Sequence, residues 1–217
     1  MKIDGAIFDL DGTLLDSMYI WNSVMGNYLE SLGITPKADL NKTLKPMSLE
    51  QAAIFCQKTY HMSQSVPEIM QGINDMTEQA YRYEVQPKAG VPAFLEDLKG
   101  RGTSMCIATV TDDYLVEAAL KRCGLDRYFS GIITCAQVGY GKTRPDIYYR
   151  ALEFLHTKKE NTLIFEDAVY AVKTAKTAGF ITVAMQDKFE PEQAEIARLA
   201  DYYCRNYDDA TKFLLVD

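Results

Sequence analysis

At 217 residues, with 47% hydrophobic and 24% charged residues, the chain has the composition of an ordinary globular protein, long enough for one well-buried domain and a small second one. A formal net charge of −7, with no basic cluster longer than Lys158-Lys159, excludes nucleic acid as the main partner, because duplex binding needs Lys/Arg clusters to neutralise phosphates. No apolar run approaches the roughly twenty residues that span a bilayer, so no membrane partner is expected.

Met1-Lys2-Ile3-Asp4 puts an acid where a secretory signal would be apolar, which makes the cytoplasm the default location. A strand is predicted over residues 3–8, ending in the polar run Asp9-Leu10-Asp11-Gly12-Thr13. Residues 17–86 then change texture. They show no convincing strand, and apolar residues recur at helical spacing, as in Trp21, Met25, Tyr28, Leu29 and Leu32, with breaks at Gly33, Pro36 and Lys45-Pro46. The stretch is too long for a crossover and suits a separate helical insertion, hinged at Leu15-Asp16-Ser17 and Gln86-Pro87-Lys88.

From residue 87 onward, short strands rich in Ile, Val and Phe (104–109, 131–134, 162–165, 181–184 and an edge strand near 202–204) alternate with helices. The helices are predicted at 91–99, 114–123, 146–156, 169–178, 191–199 and 208–214, with glycines standing just past several of them. This rhythm predicts an α/β fold with a Rossmann-like open parallel sheet and helices on both faces. Residues 1–16 and 87–217 would form that core domain, and residues 17–86 a small α-helical domain inserted after the first strand.

The five cysteines are scattered, odd in number and free of any C-x-x-C spacing, which reads as reduced thiols. Cys106 and Cys135 fall in apolar, strand-like runs. With only His61 and His156 available, a zinc site or a histidine-based triad has little material to work with.

In an open parallel sheet, ligands bind at the carboxyl ends of the strands, so the polar residues there are the candidates. Asp9 and Asp11 follow the first strand, and Thr109 and Thr111 the second. Gly141-Lys142-Thr143-Arg144-Pro145 lies in the loop after the third, and Glu166 and Asp167 follow the fourth. Carboxylates gathered at one place repel one another unless a cation is bound. An all-oxygen donor set selects a hard ion, with Mg²⁺ the usual choice beside phosphate. A metal and a lysine can neutralise a phosphoryl group, hydroxyl and N–H donors can orient it, and a carboxylate can attack it in line. Each piece alone has a plainer reading: Asp-Gly as a turn, Glu166-Asp167 as a helix cap, Gly141-Lys142 as a solvated loop. Their joint appearance in order is what points to chemistry.

Phe8-Asp9-Leu10-Asp11-Gly12-Thr13-Leu14-Leu15-Asp16-Ser17, Thr109 after Ile107-Ala108, Lys142 before Pro145-Asp146-Ile147-Tyr148, and Phe165-Glu166-Asp167-Ala168 stand in sequence. Together they resemble the four motifs of the haloacid dehalogenase superfamily, across nearly the whole chain. The resemblance implies a capped phosphatase or β-phosphoglucomutase-like enzyme in which the helical insertion closes over the active site. It implies that Asp9 attacks phosphorus to form an aspartyl phosphate, while Asp11 protonates the leaving alkoxide and then deprotonates the hydrolytic water. Thr109, the N–H of Val110 and Lys142 would hold the phosphate, and Lys142 would also stabilise charge on Asp9. Mg²⁺ would be bound by Asp9, the backbone carbonyl of Asp11, Asp167 and, as a further or outer ligand, Glu166. Gly-Lys-x-x-Pro spacing selects Lys142 over Arg144. The chain departs from the pattern at Val110, Thr143 and Ala168, and none of these removes a catalytic group.

Family dehalogenases need the nucleophile but neither magnesium nor the second acid, so Asp11 and Glu166-Asp167 speak for phosphoryl chemistry. Mutases of the β-phosphoglucomutase type usually carry a cap-loop arginine that grips a second phosphate. Here Lys45-Pro46-Met47-Ser48-Leu49 puts leucine in that position, and Trp21 stands where the mutase cap tends to carry histidine. The expectation is therefore hydrolysis of a small phosphorylated metabolite, such as a sugar phosphate, by a monomer. A mutase is the alternative, and a catalytically silent binding protein on the same fold is the third reading. Trp21 and Lys45 are candidate substrate contacts, with Tyr28 and Arg82 offered by composition alone; a core role for the aromatics and a solvated role for the charges are the plainer readings.

Overall fold

The computed structural model describes residues 2–44, 47 and 49–214. They divide into two compact units, one from Met1–Ser17 and Val85–Asp217, the other from Met18–Glu84. In chain order, β1 (Gly5–Phe8) opens the first unit, and the second consists of α1 (Met18–Ser31), α2 (Leu40–Leu44), α3 (Leu49–Thr59) and α4 (Val66–Tyr83). The first unit resumes with α5 (Val91–Gly100), β2 (Ser104–Thr109), α6 (Asp113–Cys123), β3 (Ile132–Thr134), α7 (Cys135–Val138) and α8 (Asp146–Leu155). It ends with β4 (Thr162–Glu166), α9 (Val169–Thr177), β5 (Ile181–Met185), α10 (Gln193–Leu199), β6 (Tyr202–Cys204) and α11 (Tyr207–Leu214).

The sheet has the order β3-β2-β1-β4-β5-β6, and neighbouring strands run parallel. The chain is thus an α/β protein with the expected open parallel sheet. Its order reverses between β1 and β4, where Phe8 is in register with Phe165. A crevice at the carboxyl ends of that pair is where doubly wound sheets place ligands. One sheet face shares a buried cluster (Ile7, Cys106, Ala108, Ile133 and Ile164) with Ile147, Tyr148, Ala151 and Leu155 of α8. On the other side Phe8 stacks on Phe165 at 4.3 Å, and Phe94 of α5 meets Phe165 at 5.6 Å and Tyr207 of α11 at 5.1 Å. Alternation along the strands therefore fills both layers and leaves the strand ends as the polar part of the unit.

In the helical unit, α4 begins where the Ser65 N–H donates to the Glu68 side chain at 2.7 Å, with Pro67 in the first turn. It buries Ile69, Ile73, Ala80 and Tyr81. Gly72 lets the Tyr28 ring of α1 approach, since a Cβ there would lie 2.2 Å from the ring.

Three local expectations change. The helix expected over 146–156 stops at Leu155, because His156 takes a left-handed φ of 52° as its cap. Cys135 starts the short helix α7 instead of continuing a strand, because the Thr134 hydroxyl accepts from the Gln137 N–H at 3.2 Å and caps it. Glu166 is the last residue of β4, in register with Ala184, and does not follow the strand. The two segments expected as hinges, Leu15-Asp16-Ser17 and Gln86-Pro87-Lys88, meet in an antiparallel bridge, Leu15 with Pro87, flanked by Asp16 N–H to Gln86 O at 3.0 Å and Lys88 N–H to Leu14 O at 2.8 Å. Among the described residues no helix is long and apolar enough to cross a membrane.

Candidate active site

The Asp9 N–H donates to Phe165 O at 2.9 Å, extending the β1–β4 pairing by one residue and setting Asp9 beside Glu166. Just beyond, the backbone turns at Gly12, whose φ of 77° suits a residue without Cβ, and the Gly12 N–H donates to Leu15 O at 2.9 Å. This turn returns Asp11 and Thr13 to the strand end. Asp9, Asp11, Thr13, Thr109, Thr111, Lys142, Glu166 and Asp167 are all buried.

Lys142 holds the centre. Its Nζ donates to Asp9 Oδ1 and, at 2.7 Å, to Glu166 Oε1. Carboxylate oxygens of Asp9, Glu166 and Asp167 lie within 4.8 Å of one another. One ammonium thus faces three buried acids, and the electrostatics record the imbalance. Burial pushes the Asp9 carboxyl up to about 7 against the pull of Lys142, and the charges of Glu166 and Asp11 add to the rise. Burial also drives Asp167 well above the carboxylate range, reinforced by Asp9 and Glu166. For Lys142, burial disfavours the charge, but Asp9 and Glu166 outweigh it and raise the ammonium's pKa.

Buried, hard oxygen donors with excess negative charge fit a divalent cation such as Mg²⁺. Asp9, Glu166 and Asp167 could supply side-chain ligands. Asp11 is engaged differently. Its Oδ1 accepts from the Ser17 hydroxyl and its Oδ2 from the Thr111 hydroxyl at 2.6 Å, so its side chain is oriented by two donors. Thr109 Oγ1 accepts from the Thr111 N–H at 3.1 Å, which aims the Thr109 hydroxyl proton elsewhere. Val110 is 53% exposed at the same strand end.

Residues 6–185 match the family model of haloacid dehalogenase-like hydrolases. The chain belongs to this family. It is 25% identical over 177 residues to the phosphorylated carbohydrates phosphatase of Thermotoga maritima, with 82% of each chain covered. It is 26% identical over 191 residues to the pyrophosphatase PpaX of Bacillus mycoides, covering 85% of this chain and 84% of that one. A crystal structure from Thermotoga maritima, provisionally assigned as a β-phosphoglucomutase, superposes with a TM-score of 0.84 at 23% identity over 99% of both chains, which speaks to the fold.

The haloacid dehalogenase motif residues Asp9, Lys142, Glu166 and Asp167 are thus brought together, with the charge of Asp11 felt at Asp9 and its side chain linked through Thr111 to Thr109. Trp21 belongs to the helical unit, where its indole N–H donates to Tyr81 Oη at 3.1 Å and its ring meets Tyr81 edge-on. Tyr28 is buried against Gly72, and Arg82 pairs with Glu78 one helical turn away. Lys45 lies outside the described residues. Thr111, a candidate by its strand-end position beside Thr109, holds Asp11 and has no role among the motif residues. Ser17 and Tyr148 lie within the motif runs, but nothing in those runs marks their hydroxyls as partners of Asp11 and Glu166.

Proposed function

We propose that the protein is a magnesium-dependent phosphatase that hydrolyses a small phosphomonoester through an aspartyl phosphate on Asp9. The observation that carries this reading is the Asp9 carboxylate held by Lys142 among Glu166 and Asp167, at the point where the strand order reverses. Membership of the family and likeness to a phosphatase of phosphorylated carbohydrates support it.

In this reading Asp9 attacks phosphorus as the alkoxide leaves. Asp11, oriented by Ser17 and Thr111, gives that alkoxide its proton and then takes one from the water that cleaves the acyl phosphate. The Thr109 hydroxyl and the Val110 N–H orient the phosphoryl oxygens, while Lys142 offsets their charge. Asp9, Asp167, the Asp11 carbonyl and Glu166 would hold Mg²⁺, which when bound offsets negative charge on the phosphoryl group and on the acids around it. We assign substrate choice to the helical unit as the cap, with Trp21 a contact there.

The test is phosphate release in Mg²⁺ from an aryl phosphate, then from a panel of sugar phosphates, polyol phosphates and pyrophosphate. Asp9→Asn is expected to lower turnover by at least about 10³-fold. Release that survives this substitution sinks the assignment. Isomerisation of β-glucose 1-phosphate in preference to hydrolysis turns the assignment to a mutase.

A further inference from the structure

Tyr148 has no part in the chemistry above, and its surroundings are those of a core residue. The first turn of α8 carries it into the buried cluster with Ile7, Cys106 and Ile164, and its ring lies 6.2 Å from that of Phe180. Phenylalanine would fill the same space. A phenol hydroxyl enclosed there costs free energy unless it is paired.

It is paired at one point. Tyr148 Oη donates to Glu166 Oε1 at 2.8 Å, the same oxygen that accepts from Lys142 Nζ at 2.7 Å. Lys142 in turn donates to Asp9 Oδ1. A continuous chain of hydrogen bonds, Tyr148–Glu166–Lys142–Asp9, thus runs from the helix to the nucleophile, and all four side chains are buried. Glutamate has more side-chain torsions than aspartate, and two donors converging on one oxygen restrict them. With Oε1 fixed, the Lys142 ammonium is held between two anions in one place.

We propose that Tyr148 is a positioning residue for phosphoryl transfer: by fixing Glu166 Oε1 it keeps Lys142 aligned on Asp9. The proposal rests on reading Asp9 as the nucleophile. Displacing a charged group by a fraction of an ångström costs most where alignment with the reacting atoms matters, which is in turnover and not in substrate capture.

The experiment compares wild type, Tyr148→Phe and Asp9→Asn in Mg²⁺ on one aryl phosphate. Tyr148→Phe keeps the ring and is expected to lower kcat about tenfold or more, as loss of an outer-shell partner does, with KM within about twofold of wild type. Unchanged kcat, or a loss confined to KM, overturns the proposal. Activity that persists in Asp9→Asn overturns the proposed function itself, whereas an inactive Asp9→Asn beside an unimpaired Tyr148→Phe overturns only the positioning role. If Tyr148→Phe does not accumulate folded, the wild-type protein with ¹³Cζ-labelled tyrosine answers instead. Its Tyr148 Hη should be protected from exchange and should shift when orthovanadate is added. A phenol proton that exchanges freely, or that orthovanadate leaves unmoved, overturns the proposal.

Discussion

In the sheet-containing unit, buried polarity is concentrated at the strand ends: Asp9, Asp11, Lys142, Glu166 and Asp167 are enclosed, each with an ionic or hydrogen-bonding partner or within reach of the others. In the helical unit, Thr77 is the polar side chain that the described residues bury, and it donates to Ile73 O at 2.9 Å within its own helix. Burying charge costs several kcal/mol per ion unless it is compensated, so a fold retains such a cluster where the cluster is used. The first unit therefore displays its chemistry as an energetic exception. The helical unit, with an ordinary apolar core, has no such marker, and the contact proposed for it, Trp21, is 41% exposed.

The comparison breaks most sharply at Lys142. Lys142→Met removes the ammonium shared by Asp9 and Glu166, and should reduce turnover about 10³-fold while a substitution at Trp21 changes mainly KM. Steady-state kinetics on the aryl phosphate checks both, and a Trp21 variant as inactive as Lys142→Met would place chemistry in the helical unit too.

The second prediction concerns pH. The Asp9 carboxyl moves from its ordinary 3.8 to about 7 in the folded chain. Between those values the folded protein keeps a proton that the unfolded chain has released, so the stability of metal-free protein should fall as pH rises through that window. The sign follows from the proton that folding retains. Asp167, raised for the same reason, acts in the same direction. Mg²⁺ competes with protons for these carboxylates, so thermal stabilisation by added Mg²⁺ should be larger at pH 8 than at pH 5. Equal shifts in melting temperature at the two pH values would contradict the cation reading.

A smaller effect tests the other unit. Gly72→Ala drives a methyl into the Tyr28 ring and should destabilise the helical unit by about 1–3 kcal/mol. Cys56 is buried in α3 and Cys106 in β2, and burial pushes their thiols up to about 11 and about 12, so both should react slowly in native protein. In Gly72→Ala, pulsed alkylation under rising denaturant should label Cys56 earlier than in wild type and leave Cys106 unchanged. Simultaneous labelling would mean that the two units unfold as one.

The alternation of short apolar strands with amphipathic helices was enough to place the strands of the first unit and its helices other than α7, and the polar strand ends Asp9, Thr109, Glu166 and Asp167 followed from it. What sequence could not show was pairing. Nothing in the run around Tyr148 says that its hydroxyl reaches a glutamate on another strand, because helix periodicity marks Tyr148 as core and is silent about where the polar tip lands. Thr111 illustrates the same limit: its strand-end position was visible, but its donation to Asp11, 100 positions away, depends on β1 lying beside β2. Cys135 and His156 show that caps decide element ends, since one hydroxyl or one left-handed residue overrides the apolar pattern around it.

The sequence by itself determined the α/β class, the family and the set of acids, hydroxyls and lysine at the strand ends, because these depend on periodicity and on local spacing. The tertiary structure alone decided that Lys142 sits between Asp9 and Glu166, that Asp11 is held by Ser17 and Thr111, and that Tyr148 closes the chain behind Glu166. Apart from Asp11 with Ser17, those contacts join different elements of the fold, and their strength comes from burial, which no local pattern encodes.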